Sequence, residues 1–305
     1  MKKTLTVGIP TYSDEQNLPI LINSILNQEE DLFRLEKIII VWDSISGNTI
    51  NQVRELAIQD KRITIIENKE RKGKANALNV IYELNKSDLL FVPDADVVLE
   101  NENTLNEMVT CFENNPDVNL VSARHVPFSS PKLMAKFAIY SYLSLEDAFM
   151  HYNNGNNFYS VMSASMLSKQ FADSFRYPLG TLSDQNYVYA QATRNNHNGY
   201  VFAKNAHVVF TTVTTFNDWR LLGLRSVKGD KQDVAKYFGE EILNEYSLPK
   251  SVILKTQFKW FLKNPFYMIG SVFMNVFIRL FPYKKYNPED GKWLESKSSK
   301  IRIKL

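Results

Sequence analysis

Two aspartates one residue apart, Asp94 and Asp96, close an apolar run in "LLFVPDADVVL" (89–99). A carboxylate is costly to bury unless it is paired or bound to a metal. Two of them at the end of an apolar segment invite a cation. The plainer alternative is a turn, where Asp is common. His207, in "NAHVVF", could complete a metal shell from another strand, although a lone histidine beside a strand is more often structural. Gly73-Lys74 can approach a phosphate, yet one glycine and one lysine do not make a phosphate-binding loop.

The elements that must position these groups alternate in type. Segments 4–10, 35–43, 63–68 and 89–96 read as buried strands, and 17–27, 49–60 and 74–85 as amphipathic helices between them. Strands alternating with helices of about ten residues predict βαβ units and a mainly parallel sheet. In open α/β sheets, ligands bind beyond the carboxyl ends of the strands. Pro10, Thr11, Asp43, Asn68, Asp94 and Asp96 all fall at such ends. Further on, a helix over 104–115, a strand over 118–124, a helix over 131–150 and a strand within 157–169 are expected. Residues 183–195 begin with an N-cap serine and an acid, the signature of a helix start, which places Asp184 in its first turn. Segment 199–210 reads as two short strands.

Bulk properties narrow the class. Apolar content of 44% and charged content of 23% over 305 residues suit a folded globular chain with a substantial core. A single cysteine, Cys111, excludes an internal disulfide and fits a reducing compartment. "MKKTLTVGIP" lacks the apolar core of a secretory signal, so a cytoplasmic location is expected. Residues 250–305 hold twelve Lys/Arg against three Asp/Glu, a balance of +9 that leaves −6 for residues 1–249. No nucleic-acid-binding motif accompanies that charge, so nucleic acid is not an expected partner.

Taken in order, "VGIPTYSDEQNLPILINSIL", "IIIVWDSISGNT", "KGKANALN", "FVPDADVVL" and "GTLSDQNYVYA" resemble the family 2 glycosyltransferases of the GT-A fold, over roughly residues 4–230. The resemblance implies inverting transfer of a sugar from a nucleotide-sugar, UDP- or GDP-linked. It implies Mn²⁺ or Mg²⁺ at Asp94-Ala95-Asp96, the nucleotide near Pro10, Thr11, Asp43 and Lys74, and Asp184 as catalytic base. The bland reading of Asp184 is a helix-capping acid stabilised by the macrodipole. The chain departs from the family pattern in three places. Trp42-Asp43 and Ser183-Asp184 each replace a pair of acids, and Leu222, Arg225 and Ser226 stand where processive relatives carry Gln, Arg and Trp. The last departure implies a single addition rather than polymerisation. Arg220, Arg225 and Lys228 are candidates for the diphosphate, or else a solvated helix face.

The C-terminal part reads as an appendage: 1–230 as the catalytic domain and 231–305 as a helical, basic region. Lys255, Lys259 and Lys263 recur every four residues beside an apolar stripe of Leu254, Phe258, Phe261 and Leu262. The next segment, 265–281, is very apolar but carries Ser271, Asn275 and Arg279 at spacings of four, and it is short for a spanning helix. The pattern suits peripheral attachment to a membrane surface, on the cytoplasmic face, and hence a glycan or lipid-linked acceptor. The competing reading is a helical hairpin docked on the sheet domain. With every recognisable motif before residue 230, removal of 250–305 is expected to spare catalysis. Two rival classes stand beside the transferase. An inactive sugar-nucleotide-binding homologue would have damaged acids, yet Asp94, Asp96 and Asp184 are present, and a nucleotidyltransferase would show a glycine-rich loop that "GIPTYSDEQN" is not.

Overall fold

The computed structural model of the chain describes residues 1–305 except 13–15, 44–48, 225–229, 247, 282–295, 301 and 304–305. The alternating first part folds as its pattern predicts. Strands β1 (Lys3–Thr11), β2 (Phe33–Trp42), β3 (Ile63–Glu67) and β4 (Leu89–Pro93) pair in parallel in the order β3-β2-β1-β4. Helices α1 (Leu18–Leu26), α2 (Thr49–Gln59) and α3 (Lys74–Leu84) make the connections. The continuous apolar run of β2 follows from burial on both faces. Ile38, Ile40 and Trp42 pack into one core with Leu18, Leu21 and Val53. Ile39 and Val41 face the other way, into a second core with Leu78, Ile81 and Tyr82. Trp42 is thus a packing residue, 1% exposed.

The sheet continues through β7 (Ala164–Ser168), β6 (Leu120–Pro127), β8 (Tyr200–Phe210) and β5 (Val97–Leu99), giving eight strands in all. Only β7 and β5 run against the others, so the sheet is mixed and mainly parallel. Segment 199–210 is one strand rather than two. The break expected there is a slip in register: Ala123 pairs Ala203, but Arg124 pairs His207, so three residues of β8 bulge out. Helices α4 (Thr104–Asn114), α5 (Leu133–Met150), α6 (Lys169–Ser174) and α7 (Asp184–Thr193) complete the flanking layers, followed by α8 (Phe216–Leu224) and α9 (Asp230–Phe238).

The last two helices, α10 (Lys250–Lys263) and α11 (Pro265–Leu280), lie on α5. Asp147 on α5 accepts from Lys259 Nζ at 2.8 Å and from Trp260 Nε1 at 3.0 Å. Asn275 Nδ2 donates to Ser141 Oγ at 2.8 Å. At Gly270 there is no room for a Cβ, because the Phe137 ring would lie 2.3 Å from it. Ser271 and Asn275 of the polar stripe therefore turn inward with Met268, Met274 and Ile278, Arg279 is exposed, and most of the remaining apolar residues turn outward. Phe266, Ile269, Val272, Phe273, Val276 and Leu280 form the exposed face, with Phe273 63% and Leu280 68% exposed. Leu254, Phe258 and Leu262 of α10 are exposed as well. Among the described residues, no helix is long and apolar enough to cross a membrane.

Candidate active site

The carboxyl ends of β1, β2 and β4 open on a cavity of about 650 Å³. Pro10 and Thr11 end β1, Asp43 follows β2, Asp94 and Asp96 follow β4, and Lys74 and Asp184 start α3 and α7; all of them line it. The positioning is specific. Asp94 N–H donates to Ser163 O at 2.7 Å, which fixes the turn between β4 and β5. Helices α3 and α7 are tied through Tyr177: its N–H donates to Asn79 Oδ1 at 2.8 Å, and Asn79 Nδ2 donates to its carbonyl at 2.9 Å. The Tyr177 ring packs on Tyr82 and Tyr187 at 5.7 and 5.3 Å.

At the centre, Lys74 Nζ stands 2.6 Å from Asp94 Oδ1 and 2.9 Å from Asp184 Oδ2. Burial works against the charge of Lys74, but attraction to Asp184 and Asp94 outweighs it and holds its pKa above the ordinary lysine value. Burial also pushes the Asp94 carboxyl above the ordinary carboxylate range; Lys74 opposes that rise, while Asp184 and Asp96 add to it. The Asp96 carboxylate makes no hydrogen bond or ion pair among the described residues. Two further lining residues carry buried hydroxyls without a partner among the described residues, Thr11 Oγ1 and Thr212 Oγ1. Buried polar atoms are normally satisfied, so these two stand out in the wall.

Not every expected residue joins this group. Asp43 lines the cavity, but its carboxylate is already committed, accepting from Asn68 Nδ2 at 2.9 Å, Lys72 N–H at 2.8 Å and Gly73 N–H at 2.7 Å. It anchors the loop into α3, where Gly73 takes φ 90°, a conformation open to glycine. His207 is outside the cavity: Nδ1 lies 2.7 Å from Glu100 Oε2 and Nε2 lies 3.0 Å from Lys204 O. Its place at the register slip of β8 turns it to that acid instead of to the metal candidates, so the structure does not join it to Asp94 and Asp96. Arg220 Nε donates to Phe281 O at 3.2 Å, capping the end of α11, and is not in the cavity wall. Arg225 and Lys228 lie outside the described residues. Ser183 occupies the N-cap of α7 as expected, but its side chain makes no capping bond. Asp233 of α9 fixes that turn instead, accepting from Leu182 N–H at 2.8 Å and Ser183 N–H at 3.1 Å.

Sequence reasoning missed Arg71, whose guanidinium sits 3.7 Å above the Tyr12 ring at the cavity edge. An aromatic residue directly after the β1 end was the available signal. It also missed Ser296, Ser299 and Lys300, which line the cavity although the segment lies far along the chain. The division at residue 230 therefore does not separate the cavity from the C-terminal region, and removal of 250–305 would take away part of its wall. Part of the wall is apolar: Ala138, Leu145, Val213, Trp219 and Leu222. Ala138, Val213 and Trp219 share a small core with Met274 and Ile278 of α11.

The donor set suits a divalent cation. Asp96 offers an uncommitted hard oxygen ligand, with Asp94 beside it. No group of three His, Cys, Asp or Glu is gathered among the described residues, so the rest of a shell would come from water and substrate oxygens, as Mg²⁺ usually has it.

The model of "Glycosyl transferase family 2" matches residues 6–175, more than half of the chain. The 4,4'-diaponeurosporenoate glycosyltransferase of Staphylococcus haemolyticus is 26% identical over 197 residues, 63% of this chain and 48% of that protein. An uncharacterized glycosyltransferase of Haemophilus influenzae is 29% identical over 119 residues, 39% of this chain and 36% of that one. The chain thus spans about half or less of the length of these relatives. Among solved structures, the mannosyltransferase PcManGT from Pyrobaculum calidifontis, in complex with GDP-Man and Mn²⁺, superposes with a TM-score of 0.59 at 17% identity, over 93% of this chain and 77% of that one. S. aureus TarS in complex with UDP-GlcNAc gives 0.52 at 14% identity, over 96% and 95%. These neighbours share the GT-A fold. With the family match over its first part, the chain belongs to glycosyl transferase family 2.

Proposed function

We propose that the protein transfers a single sugar from a UDP- or GDP-sugar to a membrane-proximal, lipid-linked acceptor, with inversion at the anomeric carbon. The observation that carries this reading is the convergence of Asp94, Asp96, Lys74 and Asp184, from three separate segments, on one cavity. Asp96, with Asp94 beside it, would hold Mg²⁺ or Mn²⁺, which supplies positive charge to the leaving diphosphate. Thr11 and the Tyr12–Arg71 pair offer a hydrogen bond and an aromatic face at the end suited to the nucleoside. Lys74 orients the Asp184 carboxylate through their 2.9 Å contact. The acceptor hydroxyl attacks the anomeric carbon as its proton passes to Asp184, and the bond to the diphosphate breaks with its electron pair on the nucleotide. Transfer from one face to the other inverts the centre. Asp43 acts through the α3 loop rather than on the nucleotide directly.

Two features support the acceptor class. The apolar wall beside Asp184 runs into the core beneath α11. The exposed side of α10 and α11 is largely apolar, with Lys255 and Lys263 exposed as well and Lys259 paired to Asp147, a composition that suits an anionic interface. Leu222, at the position where processive relatives carry Gln, is part of the apolar wall and favours a single addition. Incubation with a panel of UDP- and GDP-sugars, with and without Mn²⁺, tests the reading. Nucleotide release from one donor, abolished by EDTA, is expected; no release from any donor, or full release in EDTA, overturns it or its metal requirement.

A further inference from the structure

The cavity wall contains a segment that no motif announced. Residues 296–300 include a short 3₁₀ turn, Lys297–Ser299, and with Ser296, Ser299 and Lys300 in the cavity wall they form, together with Ile303, a strap along the site. Thr211 Oγ1 donates to Ser299 O. Thr214 N–H donates to Ser298 Oγ at 3.0 Å, and Ser298 N–H donates to Asp218 Oδ2 at 2.8 Å. At the far end Ile303 N–H donates to Asn17 Oδ1 at 2.8 Å, and its side chain, 1% exposed, is buried with Val98 and Val209. A tail merely lying on the surface would not fill a core position.

The register shows where the strap lies. Val97 of β5 pairs Phe210 of β8 in antiparallel fashion, and Asp96 and Thr211 are the next residues along the chain beyond that last pair. Thr211 holds Ser299, and Lys300 follows it; Asp96, Thr211, Ser299 and Lys300 all line the cavity. Charge points the same way. Among the described residues lining the cavity, the cations are Arg71, Lys74 and Lys300. Arg71 is at the Tyr12 end, and Lys74 is shared by Asp94 and Asp184. Lys300 adjoins Ser299, the residue held by Thr211, and the Thr212 hydroxyl next along the chain has no partner among the described residues.

We propose that Lys300, delivered by the docked strap, is a binding residue for the diphosphate of the donor and its nucleotide product. This rests on the nucleotide-sugar reading above. A nucleoside diphosphate carries charge that Lys74, already compensated by two carboxylates, cannot balance alone. A lysine from the strap adds a charge-assisted contact that strengthens as the leaving group gains charge. It also makes the site complete only while Ile303 is seated.

Binding of UDP, GDP, uridine and guanosine, measured calorimetrically in Mg²⁺ on the full chain, tests this. Lys300→Ala is expected to weaken the diphosphate about tenfold or more while leaving the nucleoside unchanged, with Lys300→Arg close to wild type. Ile303→Asp, which unseats the strap, is expected to weaken the diphosphate equally, and adding Lys300→Ala to it should change nothing further. If Ile303→Asp does not fold, Ser298→Ala, which removes the acceptor for Thr214, serves that arm. Unchanged UDP and GDP affinity in Lys300→Ala, or equal loss for nucleoside and diphosphate, overturns the assignment alone. Failure of the wild type to bind either nucleotide removes the transferase reading and the assignment together.

Discussion

The carboxylate side of the cavity and the strap that lines it reach the same space by different routes. Asp43, Lys74 and Asp94 stand within a residue of a strand or helix end inside the first hundred residues, each set by a short connection at a strand end. Ser296, Ser299 and Lys300 come from a segment with no sheet partner, held by side-chain and loop hydrogen bonds to the β8–α8 connection. The first kind of position is dictated by local chain geometry and survives large changes elsewhere. The second exists only when distant parts of the chain are already folded. Chemistry placed on the first is permanent, whereas chemistry placed on the second is conditional.

The largest effect should come from the permanent side. Asp96→Asn removes the uncommitted carboxylate and is expected to cut transfer by on the order of 10³ or more, since a metal ion supplies several kcal/mol of charge stabilisation. The fold should be intact by circular dichroism, and near-normal transfer would refute the metal role. Next, Asp184→Asn should cost roughly 10²–10⁴ in turnover while UDP or GDP affinity is retained. Turnover close to wild type would reduce Asp184 to a partner of Lys74.

A third measurement sharpens the contrast at the outer helices. Phe266→Asp combined with Phe273→Asp puts charge on the apolar face and should weaken binding to anionic vesicles by on the order of 10², because each buried Phe contributes about 1.5–3 kcal/mol. Transfer to a soluble acceptor analogue should be unaffected, as neither residue lines the cavity. Wild type that ignores vesicles would leave α10 and α11 as a docked hairpin with an unexplained apolar face.

The last prediction concerns pH and stability rather than activity. His125 on β6 is buried, and burial pushes its pKa down to about 4. Its Nδ1–H donates to Ala123 O at 3.2 Å, leaving Nε2 to accept from the Ser163 hydroxyl at 2.8 Å. A folded value below the unfolded one, about 6.5, means that its stabilisation is complete above pH 6.5 and is lost as pH falls towards 4. The loss should reach about 3 kcal/mol in thermal or denaturant unfolding by pH 4. His125→Gln should flatten that slope between pH 6.5 and 4, and an unchanged slope would place the acid sensitivity elsewhere.

Much of the sheet was legible because parallel strands buried on both faces leave continuous apolar runs, as in "KIIIVW". The acids at strand ends were legible for the same reason: they interrupt those runs. Asp43 was found, but not its role, because a carboxylate that binds backbone N–H groups looks no different in sequence from one that meets a ligand. His207 illustrates a second limit, since the slip of three residues in β8 moved it onto Glu100 and no local pattern encodes a slip. The amphipathic reading of α11 found the two stripes but could not tell which one faces inward. A polar stripe of Ser271 and Asn275 turned toward the protein is invisible until α5 is seen to meet it.

The contact between Ile303 and Asn17 closes a loop of 286 residues. Its entropic cost grows only slowly with length, so the closure is affordable, but it can form only after its seat exists. That seat is made by Val98 of β5 and Val209 of β8, two strands whose own pairing is antiparallel and non-local. The strap's docking therefore depends on that pairing, whereas the sheet's own ladder does not depend on the strap.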